Sequence, residues 1–143
     1  MTKVISRSTV VAAPAQDIFD LLADPRRHSE IDGSGSVKAA HNDAPARLSL
    51  GATFGMDMKI GVGYSMTNTV VEFEENARIA WRHFGGHIWR YLLEPVEGGT
   101  KVTEQFDWNT NRAPFMLRVL RAQERNAKSM EQTLQNLKAR FGG

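Results

Sequence analysis

The chain contains no cysteine, which excludes disulfides, thiolate metal sites and thiol catalysis together. It has no apolar run near the roughly 18 residues that a membrane-spanning helix needs, and its N-terminus has no signal-peptide pattern. An excess of one charge is also missing. Lys and Arg number 18 against 16 Asp and Glu, a formal net charge of +2, so there is no basic block of the kind nucleic-acid binding uses. Proline is sparse at 5 residues, and no repeat, low-complexity segment or Pro/Ser-rich linker divides the 143 residues. These absences predict one cytoplasmic domain over residues 1–143, with no nucleic-acid partner and no stable membrane insertion. A chain of this length buries roughly 68–70% of its unfolded surface, enough for a real core.

What is present is a succession of short patterns. "KVISRSTVVAAP" is β-branched and mostly alternating, which predicts a strand stopped at Pro14. "PAQDIFDLLADP" then places Ile18, Phe19, Leu21 and Leu22 at helical spacing behind a proline in the first turn. Asp24 reads as the cap of a second short helix, "PRRHSEI". Strand patterns follow from Val37 to His41 and in "ATFGMDMKI", "SMTNTVVEFE", "RIAWRHF", "IWRYLLEP" and "TKVTEQFDW". From Pro114 to Phe141 the period is helical, and Met116, Leu120, Gln123, Ala127, Met130, Leu134, Leu137 and Phe141 form one stripe.

Hairpin register decides which side chains share a face, because a slip of one residue turns every side chain over. A three-residue loop over residues 85–87 sets Trp81 opposite Tyr91, His83 opposite Trp89 and Ile79 opposite Leu93, and it leaves Arg82 and Arg90 to solvent. A four-residue "VEGG" loop sets Tyr91 beside Glu104, Trp89 beside Phe106 and Leu93 beside Val102. Continued backwards, the pattern joins Val71 to Trp81 and Thr69 to His83. One face therefore collects the apolar and aromatic residues, and the terminal helix has the stripe to cover it.

A strand, two small helices, a run of antiparallel strands and a long terminal helix resemble the helix-grip fold of the START-like superfamily, the group that includes the birch-pollen-allergen relatives. Within it the chain is similar to the bacterial polyketide cyclase/dehydrase and lipid-transport family. "AAPAQDIFDLLADPRRH", "VVEFEENARIAWR" and "WRYLLEPVEGGTKVTEQFDW" carry the likeness. It implies an α+β protein in which a curved antiparallel sheet wraps around the C-terminal helix and encloses a cavity for an apolar or amphipathic ligand. The resemblance also places "DGSGS" in the loop leading from the small helices into the second strand, near one rim of the cavity. A phosphate cradle would need a strand before the glycines and a longer helix after them.

The expected inner face mixes bulk with a few polar groups, as small-molecule pockets do. The candidate ligand-binding residues are Phe54, Met56, Met58, Thr69, Val71, Trp81, His83, Trp89, Tyr91, Glu104 and Phe106, with Met116, Leu120 and Gln123 from the helix. Glu104, inward between Val102 and Phe106, would be partly desolvated, which raises a carboxyl pKa toward values useful in proton transfer. Glu104, Tyr91 and His83 are accordingly the catalytic candidates, and His83 without a second ligand at suitable spacing predicts no metal. No cofactor is expected. The leading expectation is a carrier or sensor of a lipid-, polyketide- or isoprenoid-like molecule, acting as a monomer or weak homodimer. The alternatives are a polyketide cyclase/aromatase-type enzyme and a protein-interaction module that uses the basic helix.

Overall fold

A computed structural model describes residues 4–31, 37–40, 47–60, 62–82, 87–107 and 116–141; within these, side chains 29–30, 37–40, 56–60, 62–66 and 116–126 stand outside the description. Strand β1 (Val4–Val11) is followed by helix α1 (Ala15–Leu22) and a 3-10 helix (Pro25–Glu30). Then come β2 (Val37–Ala40), β3 (Thr53–Ile60), β4 (Val62–Glu74), β5 (Arg78–Arg82), β6 (Ile88–Val96), β7 (Gly99–Asp107) and the long helix α2 (Met116–Arg140). The strands form one antiparallel sheet in the order β1-β7-β6-β5-β4-β3-β2. This is the α+β helix-grip arrangement that the alternation and the terminal stripe predict.

Local chemistry explains the first turn of the fold. Pro14 stands before α1 in extended conformation, and Ile18, Phe19, Leu21 and Leu22 are all buried on the helix that follows. The Asp24 side chain accepts the Arg26 amide at 3.0 Å, so an N-cap starts the 3-10 helix with Pro25 in its first turn. Arg47 ties the chain ahead of β3 to this corner. Its guanidinium bonds Asp20 at 3.2 Å and Glu75 at 2.7 Å while lying over the Phe19 and Phe73 rings.

On α2, Met130, Leu134 and Leu137 are buried, as the predicted stripe requires, and Thr133 is buried with them. The interior contains two apolar clusters. The larger gathers Val11, Ile18, Phe19, Leu22, Phe54, Val70, Ile79, Tyr91, Leu93, Val102, Leu134 and Leu137. The smaller joins Ile5, Phe106 and Met130, with Trp89 and Ala127 against them.

Three registers test the face assignment. The β6–β7 hairpin pairs Tyr91 with Glu104, Trp89 with Phe106 and Leu93 with Val102, as expected. The β5–β6 hairpin differs. Ile79 pairs with Tyr91 and Trp81 with Trp89, so residues 83–87 connect the strands instead of a three-residue loop. The slide is two residues, which preserves every face. In β4 the register shifts between Val70 and Glu72, and Val70 rather than Val71 pairs with Trp81. This irregularity reverses the expected faces: Asn68 and Val70 are buried, while Thr69 and Val71 are half-buried.

The outer face also corrects an expectation. Arg82 is exposed, but Arg90 keeps only 16% of its side chain exposed. Its Nε and Nη2 donate to the two Glu72 carboxylate oxygens at 3.0 and 2.6 Å, and its Nη1 donates to Gln105 at 3.0 Å and Asp107 at 3.5 Å. A wide side chain in mid-sheet reaches three strands at once.

Candidate functional site

The inner face of β5, β6 and β7 is a lateral array set by register. Trp81, Trp89 and Phe106 stand in one row. One step along the strands, Ile79, Tyr91 and Glu104 form the next. Tyr91 Oη donates to Glu104 Oε2 at 3.2 Å, and Glu104 is 3% exposed. Glu104 is the acid among the buried described residues. Its strand neighbours two positions away belong to different clusters, Val102 to the larger and Phe106 to the smaller, so the carboxyl marks the boundary between them.

Sequence reasoning missed His28, which it placed in the short helix "PRRHSEI" without including it among the site residues. The 3-10 helix buries its ring against the sheet, stacked on Trp81 at 4.9 Å with planes 20° apart and edge-on to Phe54 at 5.6 Å. The Leu22 carbonyl can only accept, so the 2.8 Å contact with His28 Nε2 places a proton on that nitrogen. Phe54 meets Trp81 edge-on at 5.7 Å, and Trp81 meets Tyr91 at 5.8 Å. A continuous wall of rings therefore runs from His28 to the Tyr91–Glu104 pair. Apolar positions flanking the polar "RRHSE", Leu22 on one side and Ile31 on the other, were the available signal that this segment packs inward.

The family model described as polyketide cyclase / dehydrase and lipid transport matches residues 2–142. The chain belongs to this family. Among its relatives, an uncharacterized protein of Mycobacterium tuberculosis strain H37Rv is 43% identical over 107 residues, which is 73% of this chain and 47% of that protein. The chain thus spans about half the length of the curated relatives it matches. The same architecture recurs in solved structures. An AHSA1-like protein from Aeromonas hydrophila superposes with TM-score 0.70 at 19% identity, covering 95% of this chain and 92% of that one. A polyketide-cyclase-like protein from Corynebacterium glutamicum gives 0.67 at 19% identity, with coverages of 96% and 90%. The Aha1 dimer from Colwellia psychrerythraea gives 0.66 at 17%, with coverages of 96% and 95%. At these identities the likeness is one of fold.

In this member of the polyketide cyclase/dehydrase and lipid-transport family, the candidate residues separate by position. Phe54, Trp81, Trp89, Tyr91, Glu104 and Phe106 share the inner face of the sheet. Thr69 and Val71 do not, because of the β4 irregularity, and Asn68 and Val70 take their places. His83 lies outside the described residues. So do the side chains of Met56, Met58, Met116, Leu120 and Gln123, whose backbone belongs to β3 and α2. His87, read as a loop residue, is half-buried with its ring 5.0 Å from Phe106. No helix among the described residues is long and apolar enough to cross a membrane.

Proposed function

We propose that this protein binds a small amphipathic molecule, lipid-, polyketide- or isoprenoid-like, between the sheet and α2. The polar part meets the Tyr91–Glu104 pair and the apolar part lies along the rings of His28, Phe54 and Trp81. The observation that carries this reading is the buried carboxyl at the seam of two apolar clusters. Burying such a group costs free energy that a leucine at the same position would not. A polar pair inside an aromatic surface is the arrangement that fixes the orientation of a mostly apolar ligand. Family membership and the helix-grip fold support the same reading.

A second reading is favoured by the 3.2 Å contact between phenol and carboxyl. Two groups at hydrogen-bond distance can pass a proton to or from a bound keto or enol oxygen, the chemistry a cyclase or dehydrase uses. Mass spectrometry of small molecules released by denaturing the purified protein tests the binding reading, together with tryptophan emission during titration with fatty acids, isoprenoids and aromatic polyketides. Co-purified amphiphiles and shifted emission are expected. An empty protein whose emission and melting temperature ignore the whole panel would overturn it, and turnover of a poly-keto substrate would favour the enzyme.

A further inference from the structure

The row containing Tyr91 and Glu104 continues onto β1, where Arg7 pairs with Glu104. Side chains directly opposite each other on neighbouring strands have Cβ atoms about 4.5–5.5 Å apart. The sequence reading gave this arginine no role. On the inner face of β1, Ile5 and Val11 are buried, whereas Arg7 between them is exposed and Thr9 is half-buried. The inner face thus reaches solvent along this stretch of β1, next to the buried carboxyl.

Arg7 differs from Arg78 and Arg90 of the sheet and from Arg47 ahead of β3. Arg47, Arg78 and Arg90 each hold a carboxylate. Arg7 Nη1 donates to the Ser6 carbonyl at 2.8 Å, and no carboxylate of the described residues pairs with it. That bond leaves Nε and Nη2, the same edge with which Arg90 grips Glu72 through two parallel bonds. Glu104 meanwhile directs Oε2 toward Tyr91.

Building on the proposed function, we infer that Arg7 selects the ligand's head group, and that the ligand is an amphipathic carboxylic acid whose carboxylate seats on the Nε–Nη2 edge of Arg7. A carboxylate matches that planar edge in shape and charge. A phosphate monoester would bring close to two negative charges beside Glu104 and is disfavoured. The acid's chain then runs past Tyr91 to Trp81 in the neighbouring row, and on to the rings of Phe54 and His28.

Dodecanoate and dodecanol, which share a tail and differ in the head, test this in the full chain by tryptophan emission and calorimetry. Wild type should bind dodecanoate more tightly by about 10-fold or more, as loss of a charge-assisted bidentate contact implies, and the preference should shrink as salt rises. Arg7→Gln should remove the preference and leave dodecanol binding and the melting temperature unchanged, since Arg7 is exposed. Arg7→Lys should restore part of it. Equal affinity for acid and alcohol in wild type, or a preference that survives Arg7→Gln, overturns the role of Arg7 and leaves the proposed cavity standing. Failure of both probes and of the wider panel to bind overturns the two together.

Discussion

Replacing Arg90 with Gln keeps most of the side-chain stem but removes the charge and the two-pronged grip on Glu72. The size of the effect follows from burial. An exposed ion pair contributes about 0.2–1 kcal/mol, whereas a hydrogen bond to a charged group away from water contributes about 1.5–3 kcal/mol. Arg90 and Glu72 are 16% and 26% exposed, and Asp107 is 15% exposed. The network therefore belongs nearer the second case, and Arg90→Gln should cost about 2–3 kcal/mol. Arg90→Glu sets a third carboxylate against Glu72 and Asp107 and should cost about 3–5 kcal/mol. Hydrogen bonding to Arg90 holds the Glu72 carboxyl below the usual carboxylate range, although burial works the other way. A folded-state pKa below the unfolded value means this stabilisation is complete above the unfolded pKa, about 4.3. It is lost as pH falls through the lower folded value. Urea unfolding at a series of pH values reads both effects: a gap of about 2–3 kcal/mol between wild type and Arg90→Gln near neutrality, closing in acid. A gap under about 0.5 kcal/mol at neutral pH, or one that stays constant into strong acid, would refute the argument.

Two further outcomes follow from local geometry. Gly99 has φ +155, and a Cβ there would overlap the carbonyl of Val11, so Gly99→Ala should push β1 off β7 at about 2–4 kcal/mol; at Gly51, φ +84 with open space around it, the same change should cost about 1 kcal/mol. Thermal melts of the two variants check the contrast, and similar melting temperatures would contradict it. His28→Leu keeps bulk but strands the Leu22 carbonyl and removes the stack on Trp81, so a urea midpoint corresponding to about 1–3 kcal/mol less stability is expected, and an unchanged midpoint would show that the ring does not hold the 3-10 helix to the sheet.

Alternation and helical period made most of the architecture legible, because each strand buries one face and the α2 stripe has a single partner surface. The "VEGG" turn set the β6–β7 register, since Gly98 at φ +87 lets the chain reverse within two residues between Val96 and Gly99. The β5–β6 connection was less legible: Gly85-Gly86 marks a reversal without setting its length, and the error of two residues cost nothing in facing. The β4 irregularity carries no signature in "NTVVEFE", where two adjacent valines suit either face, so the pattern joined Val71 rather than Val70 to Trp81. His28 and Arg90 illustrate a shared blind spot. Charged or polar neighbours in the chain suggest water, but burial depends on what tertiary structure brings above the side chain.

The pairing of β1 with β7 joins residues 4–11 to residues 100–107. Until the ribosome has released β7, the first strand has no partner, and closing so long a loop precedes any reward from the contact. Slow, late completion leaves a strand edge open to other chains. In the waiting strand, an inward-pointing charge at Arg7 is one of the devices that discourage such mispairing, and once β7 arrives the Thr100 hydroxyl donates to the Ala13 carbonyl at 2.8 Å beyond the end of β1. The sheet is therefore completed by its first and last strands in sequence, and the contact that joins them is the one that spans the greatest length of chain within the sheet.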